Sequence, residues 1–374
     1  MSAAAGRRRI KMALKILSAG ILTSVQDGGR AGYQQYGVSP SGPMDLVSFR
    51  TANILVGNDP DEAGLEMTIM GAELEFLSPH MIALAGADMG AVLNGSKVGM
   101  YQAVAVKKGD VLKLGFALSG CRCYLAVRGG IDVKPVMGSR STMIGKSFGG
   151  FEGRKLQKDD ILSVRTQAGQ LPHPETWFTH PEPYPKGEIT LRVIMGPQED
   201  RFTKEGIHTF LNSEYTVGQD FDRQGYRLDG KKIEHKTDSN IISDGVVAGS
   251  IQVPGTGLPI IMTAEHATVG GYTKIATVIT ADLPRIGQCK AGDRVRFCRV
   301  TVEEAQEILE EEARRLEELK KQVRDPDHLP EAAAEETQEE LPVREYEYTR
   351  DVLLTVNGKT YEVKIQKYKD QGGC

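Results

Sequence analysis

Between residues 14 and 164 the apolar residues come in short runs broken by glycine, and this rhythm limits the fold more than any other feature. The runs cover 65–69, 74–77, 81–85, 103–106, 111–116 and 124–127, with turn pairs such as Asn94-Gly95 and Gly109-Asp110 between them. Such spacing is too short for successive helices and predicts antiparallel strands of a barrel or sandwich. The 42 glycines in 374 residues, against a usual level of about 7%, fit a chain full of tight turns. One helix is expected over 45–56, where Leu46, Phe49, Asn53 and Val56 recur at helical spacing and Gly57 follows. The expected class is therefore mainly β with a few helices.

A turn-plus-strand unit recurs as Lys108-Gly109-Asp110-Val111-Leu112, Lys158-Asp159-Asp160-Ile161-Leu162 and Ala291-Gly292-Asp293-Arg294-Val295. It suggests similar late strands closing separate β units. The expected organisation is a disordered extension over 1–12, a β domain over 13–165 and a linker over 166–187 rich in proline, then a second β domain over 188–300. That second domain should open on a strand over 190–195 and a helix over 198–210, with strands near 249–253, 259–263, 275–279 and 294–299. Residues 301–345 read as an acidic amphipathic helix stopped by Pro326 and then a tether. A hairpin around Asn357-Gly358 occupies 346–374.

The total charge of −4 hides an asymmetry. Residues 302–345 hold 16 acidic and 6 basic side chains, or −10, which leaves +6 for the remainder. That mild excess suits a small anionic substrate but is too weak to point to nucleic acid. Aromatics at 6% with a single Trp177 argue against a base-stacking surface. No window approaches the roughly 18 apolar residues of a membrane span, and the five cysteines form no Cys-x-x-Cys pair, so a cytoplasmic protein without membrane contact is expected. Scattered histidines support no metal site.

Polar groups concentrate in three clusters. The first runs Thr23-Ser24-Val25-Gln26-Asp27-Gly28-Gly29-Arg30 and resumes at Ser39-Pro40-Ser41-Gly42-Pro43-Met44-Asp45. Glycine amides there can approach a ligand while Gln26, Arg30, Ser41 and Asp45 supply directed groups. Asp45 has a competing job as a helix cap. The second cluster is Gly138-Ser139-Arg140-Ser141-Thr142, whose arginine and hydroxyls suit a carboxylate or phosphate. It leads into Gly145-Lys146-Ser147, which imitates a nucleotide P-loop, but Arg140 stands where the first glycine is required. The third cluster holds Arg223, Arg227, Gln252, Glu265, His266, Tyr272 and Lys274. Bracing a turn is the competing role for each of these residues. No Gly-x-Ser-x-Gly elbow is present, so a serine hydrolase lacks its nucleophile.

Together these blocks resemble the allophanate hydrolase subunit 2 family, the biotin-dependent carboxyltransferase group that includes the 5-oxoprolinase C subunits. The likeness rests on Ser24 to Arg30, Gly37-Val38, Ser41-Gly42, Met44-Asp45, Ala52-Asn53 and Gly138 to Thr142. It continues through Gly196-Pro197-Gln198, Arg223 with Gly225 to Leu228, Ile251 to Pro254, and Gly270-Gly271-Tyr272. The resemblance implies cyclophilin-like β-barrel domains and a heteromer with a subunit 1 or B-type partner and an A-type partner. It implies ATP-dependent opening of 5-oxoproline to glutamate, with ATP used by the complex. The alternatives are carboxyl transfer to a urea-like substrate from biotin on a separate carrier, or a regulatory subunit that binds a kinase-inhibitor-like partner. Under this reading Asp45, Glu265 and Arg140 are the catalytic candidates. Gln26, Arg30, Ser41, Ser141, Thr142, Arg223, Arg227, Gln252, Tyr272 and Lys274 bind substrate.

One block departs from the family: its usual Ala-Asp-Arg-Gln-Thr is here Ala264-Glu265-His266-Ala267-Thr268. The change raises the expectation of another substrate, weaker activity or a regulatory role. The final hairpin resembles the opening of a biotin carrier domain, but the chain contains no Met-Lys-Met attachment motif after it.

Overall fold

The computed structural model describes residues 12–165, 176–180, 187–324, 346–356 and 359–368. The expected extension before Met12, most of the proline-rich linker, the tether over 325–345 and the Asn357-Gly358 turn lie outside the described residues. Two compact units result, one up to Asp327 and one from His328 onward.

The larger unit opens with two facing sheets. One has the order β11 (Ile161–Ser163), β1 (Met12–Ser18), β4 (Glu73–Phe76), β9 (Val111–Lys113), β6 (Val92–Leu93) and β7 (Ser96–Lys97). The other runs β2 (Leu22–Gln26), β3 (Gly64–Thr68), β10 (Ser119–Val127), β5 (His80–Asp88) and β8 (Ala103–Val106). Alternation sorts the side chains of β10: Cys123, Leu125 and Val127 enter the core between the sheets, while Tyr124 and Ala126 face the other way. Burial pushes the Cys121 and Cys123 thiols up and leaves them as small apolar fillers.

Against that second face packs α1 (Leu46–Leu55), placing Phe49 edge-on to Tyr124. Asp45 caps the helix by accepting from Ser48 N at 2.9 Å. At the other end Gly57, at φ 71°, donates to Ile54 O, and Asn58 N donates to Asn53 O, which together form a Schellman stop.

A third sheet follows in the order β12 (Glu188–Met195), β19 (Arg294–Arg299), β13 (Tyr215–Phe221), β14 (Gly225–Gly230), β17 (Ile260–Met262), β16 (Ser250–Val253), β18 (Val269–Val278) and β15 (Asn240–Gly245). Because β12 also pairs with β18, seven of these strands close into a ring around a core built on Leu191, Tyr226, Ile251 and Val295. The helix expected over 198–210 is broken. A single turn at Glu199–Arg201 precedes α2 (Lys204–Asn212), because Thr203 turns extended and caps the second segment through Gly206 N.

The three recurring turns share one geometry. Asp110, Asp160 and Asp293 each accept the backbone N–H three residues earlier, at 2.7, 2.7 and 2.9 Å. The residue before each aspartate has a positive φ, between 71 and 90°.

Beyond α3 (Leu283–Gly287) and β19, α4 (Val302–Arg324) does not stand free as a charged helix. Its Leu316, Leu319 and Val323 pack onto the cluster around α1. The second unit contains β20 (Tyr346–Val356) and β21 (Lys359–Tyr368), an antiparallel pair. Among the described residues no helix is long and apolar enough to cross a membrane.

Candidate active site

The polar clusters meet where the first β body abuts the ring. Asp27, at the end of β2, organises the 139–142 loop: its carboxylate accepts from Ser139 Oγ at 2.5 Å, Ser141 Oγ at 2.7 Å and the backbone N of Arg140. Thr142 is tied to Val25 O at 2.9 Å through its hydroxyl. Ser41 Oγ donates to Thr142 O at 2.9 Å, and Ser41 N to Ala264 O at 3.0 Å, which joins the loop before α1 to the ring. Glycine is required at 42, where φ is 85° and a Cβ would press on the backbone of Asp27 and Gly29 at 3.3 Å.

Four buried charges lie behind these loops. Arg223 donates to Glu265 Oε1 at 2.6 Å, to Gly42 O at 2.6 Å, to Ser41 Oγ at 3.3 Å and to Glu66. Burial works to lower its pKa, but Glu66 and Glu265 outweigh that and hold the guanidinium charged. Glu66 also accepts from Met44 N at 2.8 Å and Tyr124 OH at 2.9 Å, and stands 4.0 Å from Arg122 Nε. Tyr124 is the direct cross-strand partner of Glu66, so their side chains share a face. Arg122 donates to Tyr226 OH and to Gly287 O, both at 2.5 Å. Gln288 completes the network: its Oε1 accepts from Cys121 N and Arg122 N, and its Nε2 donates to Asp45 at 2.7 Å.

The expected site residues therefore divide. Asp45 is fully buried, with one oxygen capping α1 and the other taken by Gln288, so it fixes the helix and has no oxygen left for a substrate. Arg140 has its Nε on Val133 O at 3.1 Å and braces its own loop. Ser141 and Thr142 are loop fasteners. Lys274 is committed to β15 through Asp244 and Gly245 O, both at 2.6 Å. Arg223 is an internal strut.

Other groups keep capacity to bind. Arg30 is 1% exposed, donates one bond to Ser141 O at 2.6 Å and lies over the Phe148 ring, yet its Nε and second terminal nitrogen have no partner among the described residues. Burial draws its pKa down, against the pull of Asp27 and Glu265. Gln26 keeps an Oε1 without a partner among the described residues. Glu265 gives one oxygen to Arg223, while the other has only a long 3.5 Å contact with Gly145 N. His266 donates from Nδ1 to Ala267 O at 2.9 Å, has a buried Nε2 without a partner among the described residues, and is held below its ordinary pKa by burial.

An open cleft of about 570 Å³ lies on the ring, lined by Asp220, Phe221, Asp222, Gln224, Arg227, Gln252 and Tyr272 among others. Arg227 is exposed, and no hydrogen-bond or ion-pair partner for its guanidinium is found among the described residues. Gln252 is buried and its Nε2 is likewise unpartnered. Gly145 lies between Gln224, which lines the cleft, and Glu265, which does not: a Cβ there would lie 3.3 Å from Gln224 Nε2 and 3.9 Å from Glu265 Oε2. The cleft offers a free cation and an amide donor around one opening, which suits a small carboxylate that also carries an amide.

The P-loop imitation does not fit a nucleotide. Residues Ile144–Lys146 make a single turn, Ser147 then turns left-handed at φ 55°, and no helix follows to present its N-terminus to phosphate. No nucleotide step is assigned to this segment.

Sequence reading missed Glu66, Arg122, Tyr124 and Gln288. A signal was present for two of them, since Glu66 and Arg122 are charges set inside apolar strand runs, at positions opposite the core-facing residues.

Comparison with known proteins follows the same geography. The carboxyltransferase domain, subdomain A and B, matches residues 36–299. The chain is 36% identical over 311 residues to the C subunit of 5-oxoprolinase from Escherichia coli, covering 82% of this chain and 97% of that protein. It is 34% identical over 315 residues to urea amidolyase of Saccharomyces cerevisiae, where it spans 80% of this chain but only 17% of the relative. The crystal structure of the K. lactis urea amidolyase superposes with a TM-score of 0.77 at 33% identity, over 82% of this chain and 20% of that one. The chain therefore belongs to the carboxyltransferase subdomain A and B family, together with the 5-oxoprolinase C subunits and the matching region of the urea amidolyases.

Proposed function

We propose that the chain is the C subunit of an ATP-dependent 5-oxoprolinase, working with a B-type and an A-type partner to open 5-oxoproline to glutamate. The observation that carries this reading is coverage: alignment takes in 97% and 94% of two 5-oxoprolinase C subunits, but only 17 to 18% of the urea amidolyases. The cleft is consistent with that substrate. Arg227 would pair with the carboxylate, and Gln252 Nε2 would donate to the ring carbonyl. Glu265, at the Gly145 edge, would be the base. Negative charge builds on the carbonyl oxygen as the ring opens, so donors already in place would favour the reaction.

The test is to combine the purified chain with its B-type and A-type partners and measure glutamate released from 5-oxoproline. Release that needs ATP supports the reading, and no release with all three subunits present contradicts it. A second reading, carboxyl transfer to a urea-like nitrogen, is favoured by the description of the matching domain family. It requires instead that the chain move a carboxyl group from free carboxybiotin to urea.

A further inference from the structure

The loop that carries Ser41 lines a second cavity, of about 230 Å³. Pro43, Met44 and Val47 at the head of α1, Leu283 of α3, and Leu309 and Leu316 of α4 contribute to its apolar walls. This is below the roughly 300–1,000 Å³ of a drug-sized site, so an occupant must be small.

Two ionisable groups, Arg50 and Glu312, break the apolar lining. Glu312 of α4 lines the cavity, is half-buried, and has no hydrogen bond or close ion pair among the described residues. The cations near it are already engaged: Arg192 of β12 binds Asp282 at 2.6 and 3.0 Å, and Arg315 of α4 binds Glu311 at 3.3 Å. Arg50, which also lines the cavity, is held by Asp61 at 2.7 Å. The remaining neighbours, Asp45 before α1 and Asp282 before α3, add negative potential to the effect of burial, and together they raise the Glu312 pKa to about 7. A carboxylate facing apolar walls without a partner is costly, and an organic cation would relieve it.

We propose that this cavity binds a small organic ammonium ion, its apolar body against α1, α3 and α4 and its charged nitrogen on Glu312. The site is separate from the substrate cleft and stands whether or not the oxoprolinase reading does. Its roof is α4 and part of its wall is the Ser41 loop, so an occupant would steady the segment that holds Arg223.

The test is calorimetric titration of the full chain at pH 8 with three probes of matched size: hexylamine, hexanol and hexanoate. The amine should bind about tenfold more tightly than the alcohol, and hexanoate should not bind. Glu312→Gln should remove the amine's advantage while leaving hexanol binding unchanged. Ala313→Phe, on an exposed position of α4 that lines the cavity, should abolish binding of both. Equal affinity for amine and alcohol, an amine advantage that survives Glu312→Gln, or no binding by any probe would overturn the proposal.

Discussion

The guanidinium of Arg223 takes contacts from both β bodies at once, from Glu66 and Gly42 on one side and Glu265 on the other. Removing it would leave two buried carboxylates without a hydrogen-bonded cation, with Arg122 4.0 Å from Glu66 and Arg30 acting on Glu265 only through space. Arg223→Met is therefore expected to cost about 3–5 kcal/mol in urea unfolding, well above a typical surface change. Glu312 gives a second prediction at this scale. Its folded pKa of about 7 lies above the ordinary carboxylate value of 4.5, so the folded state binds the extra proton. Its contribution is thus favourable below pH 4.5 and is lost as pH rises through 7. Glu312→Gln should be near neutral at pH 5 and more stable than the parent at pH 8 by about 1–2 kcal/mol, a figure reduced for solvent screening. Thermal unfolding at the two pH values checks it. Individual residues are unevenly legible in the sequence. The glycine-flanked clusters draw notice to Arg30, Ser41, Arg223 and Glu265, but only contacts between segments distant in the chain reveal that Glu66 and Arg122 share their network.

At the scale of elements, strands and turns are the most legible. Alternating apolar runs locate β3, β4, β5 and β8 to within a residue or a few, and the recurring aspartate turns mark β9, β11 and β19. Shorter strands such as β6 and β7 have too few residues for a pattern, and β15 exposes most of its side chains, so no burial rhythm is written into it. Asp45 and Gly57 bound α1 as their residue types suggest, whereas Thr203, an internal cap hidden among helix formers, shortens α2 from the expected span. The acidic bias of α4 conceals its buried stripe. Leu319, 8% exposed on the α1 cluster, should cost about 2 kcal/mol on Leu319→Ala, the low end for a buried leucine, by chemical denaturation. Gly145 lies between Gln224 of the cleft and Glu265 and has no positive φ that would bar a side chain. Gly145→Val should lower glutamate release by the assembled complex about tenfold or more while leaving the unfolding transition in place; the residue's tight 3.3 Å approach to Gln224 is the reason.

Among the described residues, Arg227 is the one exposed arginine of the substrate candidates without a partner. It sits on the ring in a cleft lined by residues of the ring, and Glu265, on the far side of Gly145 from Gln224, is anchored to the other body through Arg223. The contact between the two bodies through Arg223 is one that a linear sequence suggests only through the family likeness. The mildly basic body of the chain, hidden under a negative total, agrees with an anionic substrate at that opening. Whether the opening holds 5-oxoproline by its carboxylate is tested most directly by the KM for 5-oxoproline of the assembled complex carrying Arg227→Ala, set beside the parent. The expected KM is about 10- to 100-fold higher, with the unfolding temperature unchanged. An unchanged KM in a complex that still releases glutamate would show that Arg227 does not hold the substrate.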